Sequence, residues 1–245
     1  MKTTKYQRRF YRDWAKGKDL YPAHIIAQET DLQIFTDKPL DKDFAKERVY
    51  LYRRQIENYI TKDRRFLTAL KPVVVELNAA PIVKRMAQAA RRANVGPMAA
   101  VAGAVAEFVG RGLLRKGYKE IIIENGGDIF IVTSKMRKIG LYAGKSRLWN
   151  KLSLKIKSND TPIGICTSSG TIGHSLSFGK ASAVTILSKN VSLADAVATA
   201  CANRVKSPQD SGRAVDFAKS IKGVLGVIII IKNHLFIWGK VEFAL

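Results

Sequence analysis

Apolar and polar positions along the chain predict strands first, then a block of helices, then strands and helices mixed. Residues 21–37 read as two extended segments around a Glu-Thr-Asp turn. Across residues 41–70, Phe44, Val49, Tyr52, Ile56 and Ile60 recur three to five apart, the spacing of one helix face. Lys71–Leu77, KPVVVEL, predicts a short strand, and Ala80–Ala93 a basic helix with Ile82, Met86 and Ala89-Ala90 on its apolar side. Asn94–Gly117 predicts a further helix, with Pro97 in the first turn, where a missing N–H does no harm. Its interior is small: Ala99, Ala100, Ala102, Gly103, Ala104 and Ala106. A glycine inside a helix costs about 1 kcal/mol against alanine. Gly103 therefore implies a close neighbour, which is a second helix, a sheet or a bound ligand.

Ile121–Val132, IIIENGGDIFIV, places two β-rich runs around a turn signal. Asn125-Gly126 predicts a tight hairpin, because a type I′ turn needs positive φ at both central residues. That turn does not require Asp128. Further strands are expected at 139–143, 152–157, 162–167, 181–188, 224–231 and 235–238, the last two forming a hairpin around KNH. Between them lie two helices. SLADAVATACANRV opens with Ser192 as N-cap and Asp195 three residues on, and the next has Ser207 as N-cap, Pro208 in its first turn and Gly223 as its stop. The order indicates an α+β fold, a largely antiparallel sheet with helices packed on one face. With no internal repeat or low-complexity linker, residues 1–245 read as a single domain with a basic N-terminal arm at about residues 1–20.

Charge adds a class of ligand to this picture. Forty-two Lys and Arg against twenty Asp and Glu give +22, a field that attracts nucleotides, phosphorylated metabolites, nucleic acid or anionic lipid. The cations are dispersed. In Lys151–Lys157, KLSLKIK, they form the wet face of an alternating strand. No helix-turn-helix, zinc-finger or RNP signature accompanies them, which disfavours nucleic acid. The two cysteines, Cys166 and Cys201, read as free thiols in a reducing compartment. The basic start lacks the apolar segment of a signal peptide, and the longest strongly apolar run, Val224–Ile231, has eight residues against the roughly 20 of a spanning helix. The expectation is a cytoplasmic protein with no membrane partner.

Candidate chemistry falls in two places. Asp195 and Thr199 are four apart, so on a helix they share a face and offer hard oxygen ligands suited to magnesium. Asn203 would extend that stripe. The alternative is that Asp195 only caps its helix. Gly164–Lys180, GICTSSGTIGHSLSFGK, reads as a strand followed by a loop of glycines and small hydroxyl residues. Its backbone N–H groups, with the hydroxyls of Ser168, Ser169 and Thr171, suit an anion, and the alternative is an ordinary turn. It matches neither a P-loop nor a G-x-S-x-G elbow. Cys166 and His174 lie near that loop as a candidate nucleophile and proton-handling group, against the alternative of an inert buried thiol. His24 and His234 receive no role, and no Cys/His cluster has zinc spacing.

Taken in order, VGPMAAVAG, ENGGDIF, CTSSGTIGHSLSFG and LADAVAT resemble the ApbE superfamily of flavin transferases, and more closely an ApbE-like family of archaea and anaerobic bacteria. The match covers most of the chain. It implies an ApbE-like (T-fold-like) architecture and a magnesium-assisted site for FAD, FMN or another phosphate-bearing ligand, with FMN-transferase-type chemistry. By resemblance, Asp195 and Thr199 fall on the metal-binding Asp and Thr. Asn125, Gly126, Gly127 and Asp128 fall on the segment beside the flavin, Ser169-Gly170 on a Ser-Gly turn, and His174 roughly on the His of His-x-x-Asp-Pro. Two departures stand out. Ala102-Gly103 replaces the transferases' Lys-Gly, and HSLSFG lacks their acid. The resemblance also implies an alternative role in sulfur assimilation to homocysteine, with a protein partner and with Cys166 carrying sulfur. A non-catalytic basic nucleic-acid-binding or scaffold protein is the third reading, and a homo-oligomer is left open.

Overall fold

The computed structural model describes residues 19–141, 152–170 and 179–244. The first hairpin is β1 (Tyr21–Ala27) and β2 (Thr30–Thr36). Its turn is Gln28-Glu29, with Gln28 at φ +54°, so Thr30 and Asp31 of the expected turn belong to the second strand. The predicted 41–70 helix divides. α1 (Lys42–Lys62) is capped by Asp41, whose carboxylate accepts the Phe44 N–H at 3.0 Å, and the one-turn α2 (Arg65–Thr68) follows. α3 (Pro81–Ala93), a 3-10 turn (Pro97–Ala100) and α4 (Val101–Arg115) come next. Lys71–Leu77 joins no sheet among the described residues, contrary to its pattern.

The remaining elements are β3 (Ile121–Asn125), β4 (Asp128–Val132), β5 (Arg137–Gly140), β6 (Ser153–Ile156), β7 (Ile163–Ser168), β8 (Ala183–Ser188), α5 (Val191–Arg204), α6 (Ser211–Ser220), β9 (Val224–Ile231), β10 (His234–Gly239) and β11 (Phe243–Ala244). Among the described residues, eight strands form one antiparallel sheet in the order β1-β2-β3-β4-β7-β8-β9-β10. β5, β6 and β11 form a separate three-stranded sheet that the sequence pattern did not separate.

The large sheet is apolar on both faces. Ile121, Ile123, Phe130, Val227 and Ile229 pack with the helices, whereas Ile122, Ile131, Ile163, Ile228 and Ile230 pack with Ile139, Leu154 and Ile156 of the small sheet. Burial on both sides explains why Val224–Ile231 is continuously apolar instead of alternating. Pro97–Arg115 is the one helical stretch among the described residues long and apolar enough to cross a membrane, and most of it is buried in the protein.

One polar cluster ties the two sheets at their edge. Glu120 accepts hydrogen bonds from Thr133 Oγ1 at 2.6 Å, the Ser134 N–H at 2.7 Å, the Ser134 hydroxyl and Arg137 at 2.9 Å, and Arg137 also reaches Asp19 at 2.6 Å. Burial alone would raise the Glu120 carboxyl; the donors around it outweigh that and hold it down at about 2. A depressed carboxyl contributes stability that is fully present above its unfolded value and is lost as pH falls towards the folded one. We expect wild-type melting temperature to fall between pH 4.5 and about 2, on the order of 1–3 kcal/mol from this group. Glu120→Gln should be less stable at neutral pH and flatter across that interval. A variant as acid-labile as wild type would exclude this assignment.

Candidate functional site

The β3–β4 hairpin sets the floor of the site. Its turn is Gly126-Gly127, at φ +67° and +104°, not the expected Asn125-Gly126. Both central positions need the left-handed region, which only the Gly-Gly pair adopts without strain. That one-residue shift pairs Asn125 directly with Asp128 and turns both to one face of the sheet. Asp128 is in turn the cross-strand partner of Cys166 on β7. Phe130 and Cys166 pack with the helices, so Asn125, Asp128, Cys166 and Ser168 all face the helical layer. Asn125 Nδ2 donates to the Ala102 carbonyl at 3.0 Å, and the Gly127 N–H to Glu124 at 2.8 Å.

Two helices close the site from above by capping each other. The N-cap of α5 is Asn190, whose side chain accepts the Leu193 N–H at 3.0 Å; Ser192, expected there, lies inside the helix. Asp195 does not cap α5 at all. Its Oδ2 accepts the Gly103 N–H at 2.8 Å, one of the orphan donors in the first turn of α4. In return Glu107 of α4 accepts the Val191 N–H at 3.2 Å and pairs with Arg111 at 2.9 Å. A Cβ on Gly103 would lie 2.8 Å from the Val191 carbonyl oxygen and 2.9 Å from Asp195 Cβ. The close neighbour implied by this glycine is thus α5. Glu107 escaped the sequence reading, although a buried acid within a small apolar helix was a visible signal.

α5 runs along β7. Val191 sits over Gly164, where a Cβ would come within 2.7 Å of it, and Ala202 sits against Gly179, which abuts Gly170. Asp195 and Thr199 therefore lie above the stretch from Cys166 to Ser168. Asp195 and Ser168 are buried, while Thr199, Ser169 and Gly170 are half-buried. Gly170 donates to the Ala181 carbonyl at 3.0 Å, and its missing Cβ makes room for the Gly179 carbonyl, so these two glycines pinch the loop base. Thr171 and His174 lie outside the described residues.

Beside Glu107, which pairs with Arg111, and Glu124, which accepts the Gly127 N–H, the site buries two more carboxyls, Asp128 and Asp195. Burial lifts Asp195 to about 7 despite the opposing N–H groups of Gly103 and Ala102. Asp128 is raised well above the carboxylate range by burial, then by the charge of Asp195. No Lys or Arg among the described residues pairs with either. No group of three or more Cys, His, Asp or Glu stands ready to hold a metal unaided among the described residues. Cys166 is fully buried, with Sγ 3.4 Å from the Val191 carbonyl oxygen. Burial and then the charges of Asp128 and Asp195 push its thiol well up. A sulfur carrier needs an accessible thiolate, so the geometry does not support Cys166 as nucleophile or sulfur carrier.

Known proteins share both sequence and architecture with this chain. A family profile described as "AbpE bacteria" matches residues 12–225. A UPF0280 protein of Methanosarcina acetivorans is 37% identical over 89% of this chain and 86% of its own length. One of Methanocaldococcus jannaschii is 40% identical over 90% and 91%. Among solved structures, the flavinyl transferase ApbE of Pseudomonas stutzeri superposes with a TM-score of 0.60 at 11% identity, covering 90% of this chain and 94% of that one. Flavin transferase ApbE of Vibrio cholerae gives 0.59 at 13%, covering 90% and 97%. The fold is that of the ApbE transferases, and the chain belongs to the ApbE-like family that the "AbpE bacteria" profile describes and that includes the archaeal UPF0280 proteins.

Proposed function

We propose that the chain binds a flavin nucleotide, or another phosphate-bearing ligand, together with a divalent cation, magnesium, and that its chemistry is of the flavin-transferase type. One observation carries this reading: Asp128 and Asp195 are buried beside each other with no cation partner among the described residues. Two like charges in a desolvated site are costly until a counter-charge arrives. The donor set fits magnesium, which takes one or two protein carboxylates and fills its other positions with water and ligand phosphates.

Asp195 and Thr199 would hold the cation, one carboxylate oxygen remaining on the Gly103 N–H. Bound there, magnesium would neutralise a diphosphate. Gly126 would let that ligand approach the backbone, since a Cβ at this position meets nothing within 4 Å. Ser168, Ser169 and Thr171 would supply donors to it, and Gly170, its N–H held by the Ala181 carbonyl, would fix the base of their loop. Asp128 would hold or release a proton according to the charge beside it, and His174 would move a proton at the leaving oxygen. The fold of the ApbE transferases, shared along nine-tenths of the chain, supports the flavin.

Titrating FAD fluorescence with protein tests this directly. Quenching should be saturable, require magnesium and disappear with EDTA. Equal quenching with and without the metal would exclude the assignment of the carboxyl pair.

A further inference from the structure

α4 and α5 run antiparallel and are tied by two bonds of opposite direction. The Gly103 N–H of α4 donates to Asp195 Oδ2 of α5 at 2.8 Å, and the Val191 N–H of α5 donates to Glu107 Oε2 of α4 at 3.2 Å. Gly103 and Glu107 are four apart, as are Val191 and Asp195. The two rungs therefore stand one turn apart on each helix. Sliding one helix past the other by a single residue, about 1.5 Å, would break both. The second oxygen of Glu107, Oε1, accepts from Arg111 Nε and Nη2, each at 2.9 Å. Each oxygen of this carboxylate thus has its own task. A carboxylate only 1% exposed is costly unless its partners offset the lost water.

The second rung matters because the first has two duties. With Asp195 read as the cation's ligand, on which this role rests, that carboxylate must hold Gly103 and the metal together. A bound cation draws electron density from it and weakens what Gly103 receives. Glu107 has no part in the cation's donor set, so its rung holds whichever state Asp195 is in. Its partner Val191 is also the seat of α5 on the sheet. A Cβ on Gly164 would lie 2.7 Å from Val191 Cα, and Cys166 Sγ donates to the Val191 carbonyl at 3.4 Å. On the other side, the sheet already anchors α4, because Asn125 Nδ2 donates to the carbonyl of the same Ala102-Gly103 peptide at 3.0 Å. We propose that Glu107 is the positioning residue of the site: by holding the Val191 N–H it keeps α5 in register with α4, and with it the Asp195 carboxylate in place.

Amide hydrogen exchange of the metal-free protein tests this without any ligand. Glu107→Ala should speed exchange of the Gly103 N–H by on the order of tenfold relative to Val109 on the same helix. Glu107→Gln keeps an oxygen for the Val191 N–H, while Arg111, 42% exposed, can turn to water. It should protect Gly103 as wild type does. In the FAD titration, Glu107→Ala should weaken magnesium binding by on the order of 10–100-fold, and Glu107→Gln should restore it. Should the alanine variant not fold, wild type supplies the measurement. Its Gly103 and Val191 amides should show matching protection factors, because one opening breaks both rungs. The proposal would be overturned by an alanine variant in which Gly103 and Val109 loosen equally, by a glutamine variant no better than alanine, or by wild-type protection factors more than about tenfold apart. The expected exchange pattern in a protein that shows no magnesium effect would support the role of Glu107 and fail the cation reading alone.

Discussion

Asp195→Asn should melt higher than wild type at pH 8 in the absence of metal, and should lose magnesium-dependent FAD binding by on the order of 100-fold. The two effects have one cause. The folded protein holds the Asp195 carboxyl at about 7, against an ordinary value of 3.8. Between those values the unfolded chain has released a proton that the folded chain still holds. Stability is therefore fully present below about pH 4 and is lost as pH rises through about 7. Asparagine keeps an oxygen for the Gly103 N–H and carries no charge. At pH 8 the gain should be on the order of 1–3 kcal/mol, or several degrees in melting temperature. Wild type should recover a comparable increment on adding magnesium with FAD, because a ligand that binds only the folded state stabilises it. Calorimetry at pH 5 and pH 8, with and without both ligands, reads all of this. A variant that melts lower than wild type at pH 8, yet still binds FAD with magnesium, would make Asp195 a helix cap and nothing more.

Gly103→Ala should cost on the order of 2–3 kcal/mol, lowering the melting temperature by about 5–10 °C. The added methyl would sit 2.8 Å from the Val191 carbonyl oxygen and 2.9 Å from Asp195 Cβ. The first contact is backbone, so the helices must separate. Separation lengthens the Gly103–Asp195 bond and displaces both carboxyls, and ligand binding should fall with stability. Gly112→Ala is the control on the same helix, because its Cβ would meet nothing closer than 3.5 Å, the Arg48 side chain. Helix propensity then acts alone and should raise stability by about 0.5–1 kcal/mol. Equal effects at the two positions would remove the packing argument.

The hairpin shows how far the sequence could be read. NGG announced a tight turn correctly, since positive φ is a local demand of glycine. Its register was off by one, because local preference accepts either Asn-Gly or Gly-Gly at the centre. The pairing of the flanking isoleucines across two buried faces chose Gly126-Gly127, and with it placed Asn125 opposite Asp128. The cap of α5 moved in the same way, from Ser192 to Asn190, where either side chain was chemically suited.

The type of most strands and helices, the presence of the glycine turn and the Asp195–Thr199 spacing are properties of neighbouring residues, and the sequence alone determined them. The tertiary structure decided what depends on contacts distant in the chain. It made Gly103 a helix contact, made Asp195 the cap of a helix 92 residues away, and enclosed Cys166. It left KPVVVEL without a partner strand among the described residues, although the local pattern is that of a strand. A strand is completed only by another strand, and no stretch of sequence states where that other strand will be.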